Sequence, residues 1–515
     1  MSYGNSVEMK NISMQFPGVL ANDNVDFSVK KGEIHALVGE NGAGKTTLMN
    51  ILYGLYVPTA GDIYIDGKHV KFFSPIDAMA KGIGMVHQHF MLIPRHTVAD
   101  NIVLGKEPME GLIYQREEAE QKVLEICEKY NFYVDPKAKV SDISFGMQQR
   151  VEIIKSLYRG AEILILDEPT AMLTPQEIDE LGGVLQDLKK HGKTMIIITH
   201  KLKEVMEFSD KVTVLRAGKL IGTVETKNTS PEEITYMMVG RNISEIKKIP
   251  TKENKETLLK VENIKYADRH KEHLKNVSFE VKKGEILGIA GIDGSGQNEL
   301  MSVISGSIIP NEGKVILDGE DITQDEIIGR RKKGITSIPY DRQKLGLVLD
   351  ASIEENLLLG SPKPEQFLKN NKWLQPNKIK AIAEEGIKKY KIRANGPKTV
   401  VKTLSGGNQQ KVIIAREVHK DAKLILANQP TRGVDIGAIE IIHKSLVDLR
   451  NSGHGILLVS LELDEVMELS DRIAVMYDGQ IMDIVDADKI TREEIGFLMV
   501  GHRKAQEEKI NGKTK

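Results

Sequence analysis

The chain is an internal duplication, and this feature restricts its possible folds more than any other. The segment VDFSVKKGEIHALVGENGAGKTTLM from Val25 resembles VSFEVKKGEILGIAGIDGSGQNELM from Val277, at an offset of 252 residues. Further along, ILILDEPT from Ile163 matches LILANQPT from Leu424, at an offset of 261 residues, so the copies differ by a nine-residue insertion. The repeat period is about half of the 515-residue chain. The sequence therefore predicts two similar tandem domains rather than a solenoid.

The boundaries of these domains follow from local composition. Residues 247–256 read KKIPTKENKE, a charged stretch without apolar periodicity that cannot contribute to a core. We expect a first domain over residues 1–246, this segment as a linker, and a second domain over 257–502. Residues 503–515 are equally polar and are expected to form a tail.

Each copy has the pattern of an α/β domain. Ile34–Val38 and Ile163–Leu166 read as short buried strands, with amphipathic helical stretches between such strands. This alternation favours a mostly parallel sheet, and the alternating residues from Val25 predict a half-buried antiparallel β part. Gln115–Tyr130 and Lys378–Tyr390 read as helices of a helical insert in each copy.

Composition excludes several classes of function. Lys and Arg (71) nearly balance Asp and Glu (73), so no overall positive field attracts nucleic acid, which is not expected as a principal partner. No apolar run approaches the ~18 residues of a membrane-spanning helix, and the N-terminus lacks a secretion signal. The one cysteine, Cys127, permits no internal disulfide. These features predict a protein that stays in the cytoplasm.

The first copy contains a phosphate-binding loop. The segment GENGAGKT, from Gly39 to Thr46, fits the pattern G-x-x-x-x-G-K-[ST] and lies between an apolar strand and a helix. Its glycines let backbone N–H groups converge on phosphate oxygens, the lysine carries charge toward the β and γ phosphates, and the threonine offers a hydroxyl to Mg²⁺. The candidate nucleotide-binding residues here are Gly39, Asn41, Gly42, Gly44, Lys45, Thr46 and Thr47.

Polar residues at strand ends supply candidates for catalysis. Asp167 is placed to hold Mg²⁺, and Glu168 to deprotonate an attacking water, although a helix cap is the alternative for this pair. Gln88 and His200 also follow apolar strands, and beside such a loop both fit contacts to the γ-phosphate, the water and the metal. Phe16 could stack on adenine, the alternative being a core position.

The second copy carries LSGGNQQ, from Leu404 to Gln410, which resembles the signature of ATP-binding cassette (ABC) proteins. The phosphate loop, Gln88, the pair Asp167–Glu168 and His200 follow in the order of this family. The resemblance extends over both copies and so over nearly the whole chain. It implies two tandem P-loop ATPase domains that pair head to tail and bind ATP and Mg²⁺. It also implies that Ser405, Gly406 and Gly407 contact the γ-phosphate and that Asp435 belongs to the nucleotide-binding residues.

The departures from the family pattern fall on one of the two composite sites. In the second copy they are Gln297, Asn298, Tyr340, Asn428, Gln429 and Leu461; in the first copy they are Phe145 and Met147 in the signature, and Thr174. The first-copy loop and the second-copy signature remain complete. We therefore predict one hydrolytically competent site and one degenerate site. The alternative is independent drift of a nonfunctional second copy.

Duplicated chains with a weakened second copy resemble the ATPase subunits of bacterial importers for simple sugars and nucleosides. ISFGMQQRVEIIKSLYRGAEILILDEPTAMLTPQEIDEL from Ile143 and QPTRGVDIGA from Gln429 are most similar to the nucleoside branch, and the alternative is the sugar branch. This resemblance implies two membrane-spanning permease subunits, an extracytoplasmic solute-binding protein or lipoprotein that acts indirectly, and peripheral attachment at the cytoplasmic face of the cell membrane. A soluble cassette ATPase acting on ribosomes or DNA, and a nucleotide-sensing scaffold, remain as alternatives from other classes.

Overall fold

The computed structural model describes residues 4–17, 19–87, 90–170, 173–241, 256–269, 271–361, 367–370, 372–418 and 422–501. Contacts divide the chain into two compact units, Met1–Ile243 and Ser244–Lys515. The expected linker, apart from Glu256, and the expected C-terminal tail lie outside the described residues. The two units have the same architecture, as the internal repeat predicts.

The first unit contains two sheets, a hairpin and surrounding helices. Its strands are β1 (Asn5–Phe16), β2 (Val19–Lys30), β3 (Ile34–Gly39), β4 (Ala60–Ile65), β5 (Lys68–Val70), β6 (Ile83–Val86), β7 (Met109–Glu110), β8 (Ile113–Tyr114), β9 (Ile163–Asp167), β10 (Thr194–Ile198), β11 (Lys211–Arg216) and β12 (Lys219–Glu225). Its helices are α1 (Lys45–Leu52), α2 (Pro75–Ala80), α3 (Val98–Val103), α4 (Arg116–Tyr130), α5 (Phe145–Tyr158), α6 (Pro175–Lys190), α7 (Leu202–Phe208) and α8 (Pro231–Val239).

The central sheet has the order β12-β11-β3-β10-β9-β6, and β12 is antiparallel to its neighbour whereas the other strands run parallel. A separate antiparallel sheet has the order β2-β1-β4-β5. Because β3, β10 and β9 are adjacent and parallel, the residues that follow them meet at one sheet edge. Ile198 pairs in register with both Leu37 and Asp167, which brings the three strand ends level.

The central strands separate two halves of the core. Leu164 and Leu166 of β9 pack into a cluster with α3 to α6, whereas Ile163 and Ile165 pack into a cluster with α1 and the antiparallel sheet. Successive side chains of a strand point to opposite faces, so this division follows from the two-residue period. Because both faces are covered, β9 reads as a continuous apolar run, as expected of a buried parallel strand.

The second unit repeats this topology. Its strands are β13 (Thr257–Ala267), β14 (Glu272–Lys282), β15 (Ile286–Ala290), β16 (Glu312–Leu317), β17 (Glu320–Asp321), β18 (Ile335–Ile338), β19 (Leu368–Lys369), β20 (Trp373–Leu374), β21 (Leu424–Asn428), β22 (Gly455–Val459), β23 (Arg472–Tyr477) and β24 (Gln480–Asp486). Its helices are α9 (Gln297–Ser305), α10 (Ile327–Lys332), α11 (Ile353–Leu358), α12 (Pro376–Lys389), α13 (Gly406–Val418), α14 (Ile436–Asn451), α15 (Leu463–Leu469) and α16 (Arg492–Met499). The central sheet has the order β18-β21-β22-β15-β23-β24.

The α/β fold class predicted from the repeat is confirmed, with a mostly parallel sheet and an antiparallel part in each unit. The helices expected in the two inserts are α4 and α12. Within the described part of the chain, no helix has both the length and the hydropathy needed to cross a bilayer.

Candidate functional site

The phosphate loop joins β3 to α1 in the first unit. Gly44 precedes the helix with φ of 95°, and a Cβ there would lie 2.3 Å from the carbonyl oxygen of Ala21, so only glycine fits. The amine of Lys45 donates hydrogen bonds to the carbonyl oxygens of Gly39 (2.8 Å) and Glu40 (3.1 Å). The lysine side chain therefore folds back across the loop and braces it.

Lys45 belongs to a buried charged cluster with Asp167 and Glu168, which follow each other at the end of β9. Burial lowers the pKa of the Lys45 amine, and the carboxylates of Glu168 and Asp167 oppose that shift. Only 6% of the lysine and 8% of Asp167 are exposed to solvent. Burial, reinforced by the charge of Glu168 and opposed by Lys45, raises the pKa of Asp167 to about 6.

Glu168 is held in the ionised form. Its Oε1 lies 3.0 Å from Nδ1 of His200, and this hydrogen bond lowers the pKa of Glu168 against the opposing effect of burial. The backbone of Glu168 has a positive φ of 47°, and its N–H donates to the carbonyl oxygen of Ile198 at 2.9 Å. An ionised carboxylate at this edge of the sheet can accept a proton from water.

The other first-unit candidates differ in their surroundings. Asn41, Gly42 and Thr46 are exposed at the loop and the first turn of α1, and Thr47 is half-buried. Gln88 lies outside the described residues. Phe16 ends β1 and packs edge-to-face against Tyr56, with ring centroids 5.5 Å apart. The sequence does not predict this contact with Tyr56, and stacking of Phe16 on adenine stays a prediction.

The second unit replaces the lysine brace with an amide. Gln297 is fully equivalent in position to Lys45, and its Nε2 donates to the carbonyl oxygen of Ile292 at 2.9 Å, as Lys45 does to Glu40. A Cβ on Gly291 would lie 2.5 Å from that nitrogen. The loop therefore keeps its internal support and loses its positive charge.

The second unit also replaces the magnesium-type oxygen ligands. Nδ2 of Asn428 donates to Oδ1 of Asn298 at 2.9 Å, and these residues occupy the positions of Asp167 and Thr46. A carboxylate and a hydroxyl offer a hard cation a charged oxygen ligand, whereas this amide pair is uncharged and uses Oδ1 of Asn298 in its own hydrogen bond. Oδ1 of Asn428 is buried and has no hydrogen-bond partner among the described residues. The two side chains therefore form a neutral link in place of a cation site.

The backbone at the position of Glu168 is the same in both units. Gln429, at the position of Glu168, has a φ of 49°, and its N–H donates to the carbonyl oxygen of Val459 at 2.7 Å. An amide cannot act as a general base. Since Leu461 replaces the histidine, the second unit retains the scaffold of this site without its proton-accepting chemistry.

The signature of the second unit begins α13. Ser405 lies immediately before the helix, and its Oγ accepts a hydrogen bond from Nδ2 of Asn408 at 2.9 Å. A Cβ on Gly406 would lie 2.6 Å from Nη2 of Arg342, so this glycine makes room for a guanidinium. Arg342 donates through Nη1 to the carbonyl oxygen of Arg432 at 2.6 Å, and its Nε has no hydrogen-bond partner among the described residues.

Asp435 lies on the other side of the same helix start. It caps α14 by accepting the N–H of Ala438 on Oδ1 at 2.7 Å, and its Oδ2 would lie 2.7 Å from a Cβ on Gly407. All four predicted signature-region residues are thus brought together within the second unit. The sequence alone does not place Arg342 at this helix start; its basic side chain in PYDRQKLGLV is the only signal.

Comparison with known proteins identifies the family of this chain. The family model described as ABC transporter matches residues 22–171 and 274–432, which contain both loops, both acidic-pair positions and both signatures. The chain belongs to the ABC transporter family. It is therefore an ATPase with two ATP-binding cassettes, as the duplicated motifs predicted.

The following relatives match over nearly their whole length and are named as import ATP-binding proteins. The chain is 48% identical to the guanosine import ATP-binding protein NupO of Bacillus subtilis, covering 98% of this chain and 99% of the relative. It is 45% identical to the nucleoside import ATP-binding protein NupA of Lactococcus lactis, covering 96% and 98%. A galactose/methyl galactoside import ATP-binding protein of Clostridium perfringens is 37% identical, covering 96% and 95%.

A solved structure that spans both cassettes supports the fold. An archaeal ribosome recycling factor, solved in complex with a ribosomal stalk protein, matches with a TM-score of 0.61 and covers 98% of each chain. Its sequence is 20% identical, so the likeness concerns the fold alone.

Proposed function

We propose that this chain is the ATP-hydrolysing subunit of an importer for nucleosides and that one of its two composite sites hydrolyses ATP. The observation that carries the proposal is the division of residues between the units. Lys45, Asp167, Glu168 and His200 are complete in the first unit, and the second unit keeps the signature but replaces each of those four residues. The relatives named for nucleoside import supply the substrate class.

The competent site combines the first-unit loop with the second-unit signature. This pairing is inferred from the sequence, because every loss falls on the opposite combination of loop and signature. Ser405 and the start of α13 present hydroxyl and N–H donors, which suit the γ-phosphate.

Hydrolysis in this site requires a group that accepts a proton and a positive charge that binds the phosphates. Lys45 leaves the carbonyl oxygens of its own loop and contacts the β and γ phosphates of ATP. Water attacks the γ-phosphorus, its proton passes to the Glu168 carboxylate, and the bond to the bridging oxygen breaks to release ADP and phosphate. His200 positions Glu168 through the 3.0 Å hydrogen bond and keeps it ionised. Gln88 is proposed to contact the water and the metal.

The oxygen ligands of the first unit fit Mg²⁺. The Thr46 hydroxyl is exposed at the loop, and the Asp167 carboxylate lies in the cluster with Lys45, so both can hold the cation together with phosphate oxygens. When bound, Mg²⁺ neutralises charge on the β and γ phosphates.

Copying the second-unit pair into the first unit should weaken cation binding. The double change Thr46→Asn and Asp167→Asn is expected to lower the amount of Mn²⁺ bound per chain with a non-hydrolysable ATP analogue, because phosphate oxygens alone would then hold the ion. The asparagine pair should bridge itself, as Asn298 and Asn428 do. Electron paramagnetic resonance of free Mn²⁺ measures the number bound. An unchanged count would place the cation elsewhere.

The partners follow from the import role. We propose that two permease subunits bind this chain at the cytoplasmic face of the membrane and that an extracytoplasmic binding protein delivers the solute to them. Nucleotide binding closes the cassettes and hydrolysis reopens them, since ATP stabilises only the closed arrangement.

Uptake measurements in cells test the proposal. A strain lacking this chain is expected to lose uptake of labelled guanosine and to recover it with the intact chain but not with Glu168→Gln. The sugar-import alternative, supported by the galactose-named relative, predicts loss of galactose uptake instead. Isolation of the tagged chain from membranes should recover two multi-span proteins; recovery with ribosomes and no effect on either uptake would refute an import role.

A further inference from the structure

A carboxylate covers the start of the signature helix in the first unit. The Oγ of Ser144, which caps α5, donates a hydrogen bond to Oε1 of Glu177 at 3.0 Å. A Cβ on Gly146 would lie 2.5 Å from the same oxygen, so the carboxylate packs directly on this glycine. The N-terminus of a helix attracts anions through its free N–H groups and its dipole. Glu177 therefore supplies an anion at the place where a signature receives the γ-phosphate.

This carboxylate is fixed by its own helix. The second oxygen, Oε2, accepts hydrogen bonds from the N–H of Thr174 at 3.0 Å and from its hydroxyl at 3.3 Å. The Thr174 hydroxyl in turn accepts the N–H of Glu177 at 3.3 Å, which completes a capping box at the start of α6. One carboxylate oxygen of Glu177 thus binds the start of α6 and the other binds the start of the signature helix α5. Moving the carboxylate away from α5 would break its hydrogen bond with Ser144.

The second unit has different chemistry at the same place. Ala438 occupies the position of Glu177, and Ser405 accepts its hydrogen bond from the Asn408 amide rather than donating to a carboxylate. Oδ2 of Asp435 would lie 2.7 Å from a Cβ on Gly407, the position of Gly146, so a carboxylate packs on this glycine in both units. The hydrogen bonds described for Ser405 go to Asn408, whereas Ser144 donates to the carboxylate of Glu177. Arg342 also lies beside Gly406 and adds a positive charge to this helix start. The two signatures therefore differ in the partner of the serine hydroxyl and in the guanidinium beside the second one.

We propose that Glu177 is a built-in anion that occupies the γ-phosphate position of the first signature and thereby prevents this signature from binding nucleotide. The inference rests on the proposed function, in which a signature contacts the γ-phosphate. A phosphate entering here meets a like charge and must displace the carboxylate from Ser144. Glu177 is a specificity-determining residue, because it favours ATP binding at the site completed by Ser405. It hinders nucleotide binding at the first signature, and the residues lost from the second loop weaken the same site further.

The test uses the full chain with Glu168→Gln, so that bound ATP persists. Equilibrium dialysis with labelled ATP and Mg²⁺ resolves the two binding events per chain. Glu177→Gln removes the charge and keeps the capping box, because glutamine also completes this motif. The weaker ATP-binding event is expected to strengthen about tenfold and the stronger one to remain unchanged. Asp179→Asn, which removes an exposed charge from the same helix, should alter neither.

The converse change introduces a carboxylate at the equivalent position of the second unit, beside the signature of the competent site. Ala438 is fully buried, so Ala438→Glu and Ala438→Gln both add bulk to the core, and comparing the two, with a melting curve for each, isolates the charge. Ala438→Glu is expected to lower ATP affinity and ATPase activity about tenfold relative to Ala438→Gln. This difference should shrink as salt is raised, since it is electrostatic. A role confined to helix capping would not produce a charge-specific, salt-dependent difference.

The outcomes separate this inference from the function on which it rests. If ATP binds tightly once per chain but Glu177→Gln leaves the weaker event unchanged, and Ala438→Glu behaves as Ala438→Gln does, Glu177 is a helix cap only and the inference is wrong. If the chain with Lys45 intact binds no ATP tightly, the proposed function fails instead.

Discussion

Changing Glu168 to Gln is expected to reduce ATP hydrolysis by about 10² to 10⁴-fold, the usual contribution of a general base. The substitution keeps the size of the side chain and removes its capacity to accept a proton. The hydrogen bond from His200 holds the native carboxylate ionised, so the loss is specific to the charge. ATP binding should persist, because the loop and Lys45 are untouched. Release of phosphate by the purified chain, beside ATP binding at equilibrium, measures both properties.

The second unit provides the control for this change. Gln429 occupies the same strained backbone position, with a φ of 49° and the same type of N–H contact to the neighbouring strand. Gln429→Ala is therefore expected to leave hydrolysis within about twofold of the unaltered chain. Retention of more than a tenth of the activity by Glu168→Gln would show that another group accepts the proton.

The fold was predictable because its signals are local or repeated. Ile34–Val38 and Ile163–Leu166 were read as strands from short apolar runs, and each observed strand is one residue longer at its carboxyl end. Because the sequence pattern is duplicated, it predicts the same strands in the second unit. Motif spacing likewise identified Lys45 as the loop lysine, because the chemistry of a phosphate loop fixes residue type and position together.

What the sequence did not predict depends on contacts between distant segments. The capping motif T-P-Q-E is visible at Thr174–Glu177, but nothing in it shows that the same carboxylate reaches Ser144, 33 residues earlier in the chain. The link between Asn298 and Asn428 spans 130 residues and joins the first turn of α9 to the end of β21, which only the tertiary fold brings together. The positive φ of Glu168 is a third example, since glutamate rarely adopts this conformation.

The second unit also indicates a substitution of Lys45 that removes its positive charge and keeps the hydrogen bond that supports the loop. Gln297 braces its own loop through the amide, so Lys45→Gln should preserve the fold where Lys45→Ala would remove the brace. Loss of a charge-assisted contact costs about 1.5 to 3 kcal/mol, which is about 10 to 150-fold in ATP affinity. We expect Lys45→Gln to weaken the tight ATP-binding event by that factor and to reduce hydrolysis with it.

The reverse substitution makes the comparison reciprocal. Gln297→Lys restores a positive charge to a loop whose glycines still leave room for phosphate, so it should strengthen the weaker ATP-binding event. It should not create a second hydrolytic site, because Gln429 still cannot accept a proton. Titration of both variants with labelled ATP, beside a melting curve to confirm the fold, separates charge from structure. Equal affinities for the unaltered chain and Lys45→Gln would mean that the lysine only braces the loop, and the proposed contact of Lys45 with the phosphates would be wrong.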